Sequence, residues 1–434
     1  MDQYTAPKRI LANHCVRGLC LSQFTALVGT FALFFASMAL VEEITQSSTQ
    51  VGLMIFSSTL PGFLFGLIAG PYVDRHDRIS VIKWGCLMRV PIGIGFAVAM
   101  YYAPHTSSLL WVIYICNFLL SALAQFVSAA EASSIPRFVT SDQLMAANSL
   151  FNLSSVVSQG IGIIMVAPPL LKLGGPGLVG VAGTVLYLLA WWAVARLPHG
   201  DFAADPARPT VKNGFASAFV ELRQGWAFIA KDRFVSLAVI QMVLGSTAVL
   251  AVATLAPGFA NRILGKQVAD IAYAALPVGV GFVGGLMFIS SRHGLKMSRQ
   301  AWSALGLSLF GAGLLGASLL TMLKGLHVFG LAVSVALAGF GFAITMTPAR
   351  TILQERPAPS MRGRVISTQM VLANAASTLP MPVAGGLADL WGIQQVLLMI
   401  AGIVIVAAGV SIYVVRKARR EAVVATPSPA EEVR

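Results

Sequence analysis

Apolar residues in this chain gather into about twelve runs of roughly twenty, and that pattern leaves few folds open. The runs fall at 19–41, 51–73, 81–101, 109–130, 144–167, 176–195, 235–257, 268–290, 302–322, 328–348, 366–388 and 393–415 of 434 residues. Twenty residues of helix cross the hydrocarbon core of a bilayer. The alternation of polar and apolar residues that a transmembrane barrel needs is lacking. Composition agrees: 56% of residues are hydrophobic and 11% charged, with mean hydropathy +0.78, whereas soluble domains carry about a quarter charged residues. The first run is too long for a signal peptide and has no small-residue cleavage site. The expectation is an all-α membrane protein of twelve transmembrane helices.

A net charge of +13 would suit a nucleic-acid binder, but its distribution does not. With the amino terminus inside, Lys8, Arg9, Arg17, the loop around Arg75, Arg137, the basic residues of 196–233, Arg292 to Arg299, Arg350 to Arg364 and the tail from Arg416 share one side. Arg89, inside the third run, lies towards that side. Only Lys172, Arg262, Lys266 and Lys324 fall opposite, four of the 30 basic residues. Basic loops are retained in the cytoplasm, so both termini are expected there, in a cell (inner) membrane. The excess charge also draws anionic lipid headgroups, which makes membrane lipid a partner and nucleic acid none. Cys15, Cys20, Cys86 and Cys116 show no metal-type spacing, and His14, His76, His105, His199, His293 and His327 lie in loops or at run edges. No cofactor, metal or enzymatic constellation is expected.

Between the second and third runs stands Gly70-Pro71-Tyr72-Val73-Asp74-Arg75-His76-Asp77-Arg78. A charged turn that only fixes orientation would look similar. The spacing Gly-x-x-x-Asp-Arg-x-x-Arg, however, resembles the signature loop of the major facilitator superfamily. The resemblance implies that Asp74 caps a helix of the other half, near Arg364 at the amino end of the eleventh helix. It implies acidic partners for Arg78, with Glu131 and Asp142 the candidates. The gating set on this reading is Gly70, Asp74, Arg75, Arg78, Glu131 and Arg364.

Three further stretches are similar to one branch of that family, the macrolide-efflux and enterobactin-exporter proteins. They are the Asp-Arg-x-Asp-Arg of Asp74–Arg78, the run from Pro136-Arg137-Phe138-Val139 to Ala147-Asn148, and Glu355–Val365. Ile79 stands where that branch usually has another basic residue. Antiporters of the superfamily carry a Gly-Pro-rich run in the fifth helix; here Ser158-Gln159-Gly160-Ile161-Gly162 is followed late by Pro168-Pro169. The direction of transport therefore stays open.

The longest polar stretch, 196–233, divides six runs from six. Its first part, around Asp201–Pro209, is a Pro-rich linker. Its second part, Gly214–Lys231, sets Phe215, Phe219, Leu222, Trp226 and Ile229 at helical spacing, the mark of an amphipathic helix in the inner interface. Gln354-Glu355-Arg356-Pro357 leading to Ala373-Asn374 parallels Arg137 leading to Ala147-Asn148, a faint internal repeat of transporter type. The expected domains are a six-helix bundle 1–197, a cytoplasmic linker 198–233, a second six-helix bundle 234–416 and a disordered tail 417–434, together the major facilitator fold.

Apart from Arg89, the middle thirds of the runs hold no Asp, Glu, Lys, Arg or His. Aromatic and neutral polar residues stand there instead, suited to a bulky amphipathic small molecule. The candidates for substrate binding are Phe31, Phe34, Phe35, Asn117, Gln125, Asn152, Gln241, Phe340 and Phe342; the resemblance, with helices one, four, seven and ten lining the cavity, favours Phe31, Asn117, Gln241 and Phe340. Glu42 and Glu43, just beyond the first run, read as solvated surface acids. Protons are a candidate coupling ion, but no mid-span acid is available to carry them. Coupling is therefore expected to be indirect or borne by a neutral or anionic substrate. The leading function is efflux by a monomeric secondary transporter acting by alternating access, on drug- or siderophore-like compounds. Uptake or lipid flipping on the same fold, and a non-transporting assembly or delivery factor, remain alternatives.

Overall fold

Inside a bilayer each backbone N–H and C=O has to be satisfied within its own segment, so isolated apolar runs have to be helical. In the computed structural model, which describes residues 13–102, 107–140, 143–197, 214–290, 297–322 and 328–424, the described residues are helical nearly throughout, with no strand among them. Ser141, Asp142, the Pro-rich linker 198–213 and residues 425–434 lie outside the described residues. The helices are α1 His14–Thr45, α2 Ser48–Asp74, α3 Arg78–Tyr102, α4 Leu110–Phe138, α5 Leu144–Gly160 and α6 Ala167–Ala195. After them come α7 Gly214–Lys231, α8 Arg233–Gly258, α9 Val268–Ser290, α10 Arg299–Met322, α11 Val328–Glu355, α12 Pro359–Thr378, α13 Pro380–Trp391 and α14 Ile393–Val424.

Ten of these stretches are long and apolar enough to cross a membrane, and bent α2 makes eleven. The 53° bend of α2 falls between Gly66 and Ile68, four residues before Pro71, whose ring removes a hydrogen bond there. One stretch, Ala146–Ala195, runs for 50 residues. It breaks at Gly174 and Gly175, where φ of 71° at Gly175 puts the chain in a region that glycine tolerates. The stretch has length for two passes, so the count is consistent with twelve. α14 continues to Val424, past Arg416 where the tail was expected to begin; Arg, Lys, Ala and Glu there are good helix formers.

The chain forms two compact units. Unit 1 comprises Met1–Ala218, Thr254–Tyr273 and Met381–Gly386. In it α1 is the most enclosed helix, with Leu19, Leu33, Leu40 and Val41 fully buried, and it packs on α6, as does α3. Lys83 of α3 donates to the Leu197 carbonyl at 2.8 Å, closing the end of α6. Close backbone approach admits the short Met381–Gly386 segment: a Cβ on Gly52 would sit 2.5 Å from the Met381 carbonyl oxygen. Unit 2 comprises Phe219–Ala253, Ala274–Pro380 and Leu387–Arg434. Its α10 packs on α11 and α14. A separate cluster joins Ile229 of α7 to Val235, Val239, Ile352, Leu353 and Val365.

α7 occupies the segment whose spacing implies a helix, Gly214–Lys231. Its protein-facing side is Leu222, Gly225 and Ile229, while Trp226 is exposed. The side chains of Phe215 and Phe219 lie outside the described residues.

Candidate functional site

Four helices of unit 1 line an open cavity of about 300 Å³. α1 turns Gln23, Leu27 and Phe31 towards it, at intervals of four that keep them on one face. α4 presents Gln125, Ser128 and Glu131, again three or six residues apart. α5 adds Ser155, Val156 and Gln159, and α3 adds Arg89. The wall thus combines one guanidinium, one carboxyl, three amides and two hydroxyls with an aromatic ring and aliphatic side chains. Such a lining suits an amphipathic molecule.

The two charged groups are deeply placed. Arg89 is 4% exposed and Glu131 5%. Among the described residues neither has an ion-pair partner within 4.0 Å, although Arg89 is the cation whose charge reaches Glu131. The Arg89 guanidinium lies 5.9 Å from the centre of the Tyr187 ring, and the Tyr187 hydroxyl is 3.1 Å from Thr30 Oγ1. Arg89 Nε and Gln23 Oε1 are both buried and, among the described residues, without a hydrogen-bond partner. The Gln23 amide is oriented from its other end, where Nε2 donates to Ser155 Oγ at 3.2 Å.

Of the candidate binding residues, Phe31 and Gln125 line this cavity, together with Glu131 from the gating set. Phe34 is half-buried, Phe35 is buried and Asn152 is exposed on α5. The Asn117 amide is spent on packing: Nδ2 donates to Ser37 Oγ at 3.2 Å and to the Ile113 carbonyl at 3.0 Å. In unit 2, buried Gln241 accepts from Ser303 Oγ, and its Nε2 has no partner among the described residues. Phe340 and Phe342 belong to an aromatic group there: Phe340 lies 5.8 Å from Phe288, and Phe342 5.7 Å from Phe310 and 6.1 Å from Phe282.

The charged loop after α2 is built from its own acids. Arg78 lies 3.6 Å from Asp74 one turn back and donates to the Ser133 carbonyl at 3.0 Å. Asp77 accepts from the Ser80 backbone N–H at 2.8 Å, capping α3. Gly70 meets nothing within 4 Å where a Cβ would stand, and Arg75 is exposed. Arg364 lies in α12 with Nη1 at 3.6 Å from Met361 Sδ.

Two residues carry more than their sequence positions suggested. Arg89 was read only as a topology marker, although a lone cation inside an apolar run is itself a signal of function. Glu42 was expected to be solvated; it is fully buried and paired with Arg262 at 2.9 Å, while its neighbour Glu43 is exposed. Spacing along α1 could not reveal a partner 220 residues away.

A model of the Major Facilitator Superfamily matches residues 19–379. The enterobactin exporter EntS of Escherichia coli O1:K1 / APEC is 27% identical over 371 residues, 82% of this chain and 81% of that protein. The enterobactin exporter EntS of Shigella boydii serotype 18 is 27% identical over 369 residues, with the same coverage. Among solved structures, a bacterial homologue of the human lysosomal transporter Spinster, inward-facing and unoccupied, aligns with TM-score 0.69 at 14% identity, covering 96% of this chain and 98% of that one. A bacterial homologue of the iron transporter ferroportin, inward-facing, aligns with TM-score 0.66 at 15% identity, covering 92% and 98%. At these identities the structural likeness is one of fold. With twelve-run hydropathy, an all-helical build and a family match over residues 19–379, this multi-pass membrane protein belongs to the major facilitator superfamily.

Proposed function

We propose that the protein is a secondary active transporter that exports a bulky amphipathic small molecule by alternating access across a cell membrane. The observation that carries this reading is the unit 1 cavity, where buried Arg89 and Glu131 share a wall with Phe31, Gln23, Gln125 and Gln159. A packed structural core has no use for two buried charges without a direct partner, since desolvating them costs several kcal/mol apiece. The relatives named as enterobactin exporters support a siderophore-like substrate. On this reading Gly70, Asp74, Arg75, Arg78 and Arg364 gate the cytoplasmic side, both termini lie in the cytoplasm, the membrane is the inner one and the working unit is a monomer. Within unit 2, the candidate binding residues are Phe340, Phe342 and Gln241.

The test is flux in vesicles reconstituted with the purified protein, using enterobactin and a macrolide as separate cargoes. Protein-dependent movement of either, driven by a pH or voltage gradient, supports the reading. Equal leak with and without protein for both, in vesicles where the protein is folded, removes it.

A further inference from the structure

We propose that Arg89 is the anchor for an acidic group on the ligand, and that Gln23 selects a hydrogen-bond donor carried beside that group. This deepens the transport reading and rests on it only for calling the ligand cargo. The two buried polar atoms in question are Arg89 Nε, a donor with no acceptor, and Gln23 Oε1, an acceptor with no donor. Both side chains face the same cavity. Unmade hydrogen bonds of buried groups are costly, so a ligand that completes both recovers that cost.

The charges decide the sign of the ligand. Arg89 and Glu131 have no ion partner within 4.0 Å among the described residues, and they differ in chemistry. A carboxyl can discharge itself by taking up a proton, whereas a guanidinium cannot lose its own. The standing charge that the cavity cannot remove by itself is therefore positive. A ligand acid satisfies it through a charge-assisted hydrogen bond, among the stronger kinds. The neighbouring hydroxyl of a hydroxy acid or acidic phenol then donates to Gln23 Oε1, and its apolar body rests against Phe31, Leu27 and Val156. A cavity of about 300 Å³ takes one such head group, so a larger molecule enters by one arm.

The experiment is calorimetric titration of the full-length protein in detergent with four small probes: salicylate, benzoate, salicylamide and 2-hydroxybenzylamine. They share one ring and differ in charge and in the donor hydroxyl. Salicylate is expected to bind about tenfold or more tightly than the amide or the amine, the share of a hydrogen bond to a charged group. Arg89→Gln should erase that advantage, so that salicylate and salicylamide bind with affinities within about twofold of each other. Gln23→Leu should bring salicylate down to benzoate. The preference among probes in the wild-type protein tests the proposal even if Arg89→Gln fails to fold. Wild-type preference for the amine or the amide, no detectable salicylate binding, or unchanged salicylate affinity in folded Arg89→Gln would each overturn it. Because no membrane is present, binding can succeed where vesicle flux fails, which separates this proposal from the transport reading.

Discussion

Glu42 Oε1 lies 2.9 Å from Arg262 Nε, with the carboxylate of α1 wholly out of solvent. Arg262 sits in the turn Phe259–Ile263 that follows α8, and it also donates to Ser48 Oγ at the start of α2. Unit 1 is thus tied across a large sequence distance by one cation serving two helices. Removing the guanidinium leaves a wholly buried carboxylate without its cation, a loss of about 3–5 kcal/mol. Glu42→Leu and Arg262→Met should each lower the melting temperature in detergent, and the double variant Glu42→Leu/Arg262→Met should lose less than the two single losses together. Additive losses in the double variant would contradict a coupled pair.

α7 docks through a glycine. A Cβ on Gly225 would press on Thr368 Oγ1 and stand 2.6 Å from the Arg364 carbonyl oxygen, and Thr368 Oγ1 lies 3.3 Å from the Leu222 carbonyl. Gly225→Leu should therefore destabilise unit 2 by about 1–3 kcal/mol, as overpacking does. Trp226 points away and is exposed. Replacing Phe219 and Trp226 together by Glu should weaken membrane assembly, while detergent-solubilised protein keeps its ligand affinity. Thermal unfolding and membrane yield read the two effects separately.

Asp232, between α7 and α8, titrates below the usual carboxylate range. Partial burial pushes its carboxyl up, but hydrogen bonds from Arg356 and from the Phe234 and Val235 backbone N–H groups outweigh that. A carboxyl held below its unfolded value contributes stability above that value, near pH 4, and loses it as pH falls through the folded value. Asp232→Asn should flatten the acid limb of the melting temperature between about pH 4 and pH 2. An unchanged acid limb would show that Arg356 makes no such contribution.

The gating proposal has its own test. If Asp74 stabilises the outward-open state, Asp74→Asn should raise the reactivity of a cysteine placed on the cytoplasmic side of the cavity. Labelling at the same rate as in the parent protein would remove Asp74 from the gate.

Much of the architecture was legible because a bilayer imposes one strict rule, a run of apolar residues per helix. The bounds of α7 were legible from the spacing of Leu222, Trp226 and Ile229. Partners were not. Helical spacing reports a face, never the helix that will cover it, so Asn117 looked available although Ser37 and Ile113 take its amide. Glu42 looked wet because Arg262 is remote in sequence. In the sequence Arg89 marks only topology. Its place beside Glu131 and Gln23 on one cavity wall is a relation not written in one dimension.

Arg89 and Glu131 serve cargo and not packing if the protein works as proposed. The most direct measurement is enterobactin flux in reconstituted vesicles under an imposed pH gradient, for wild type, Arg89→Gln, Glu131→Gln and, as a surface acid, Glu43→Gln. The expected result is gradient-driven flux in wild type and Glu43→Gln, loss of about tenfold or more in Arg89→Gln, and reduced flux in Glu131→Gln. Wild-type flux that Arg89→Gln and Glu131→Gln both reproduce would contradict it.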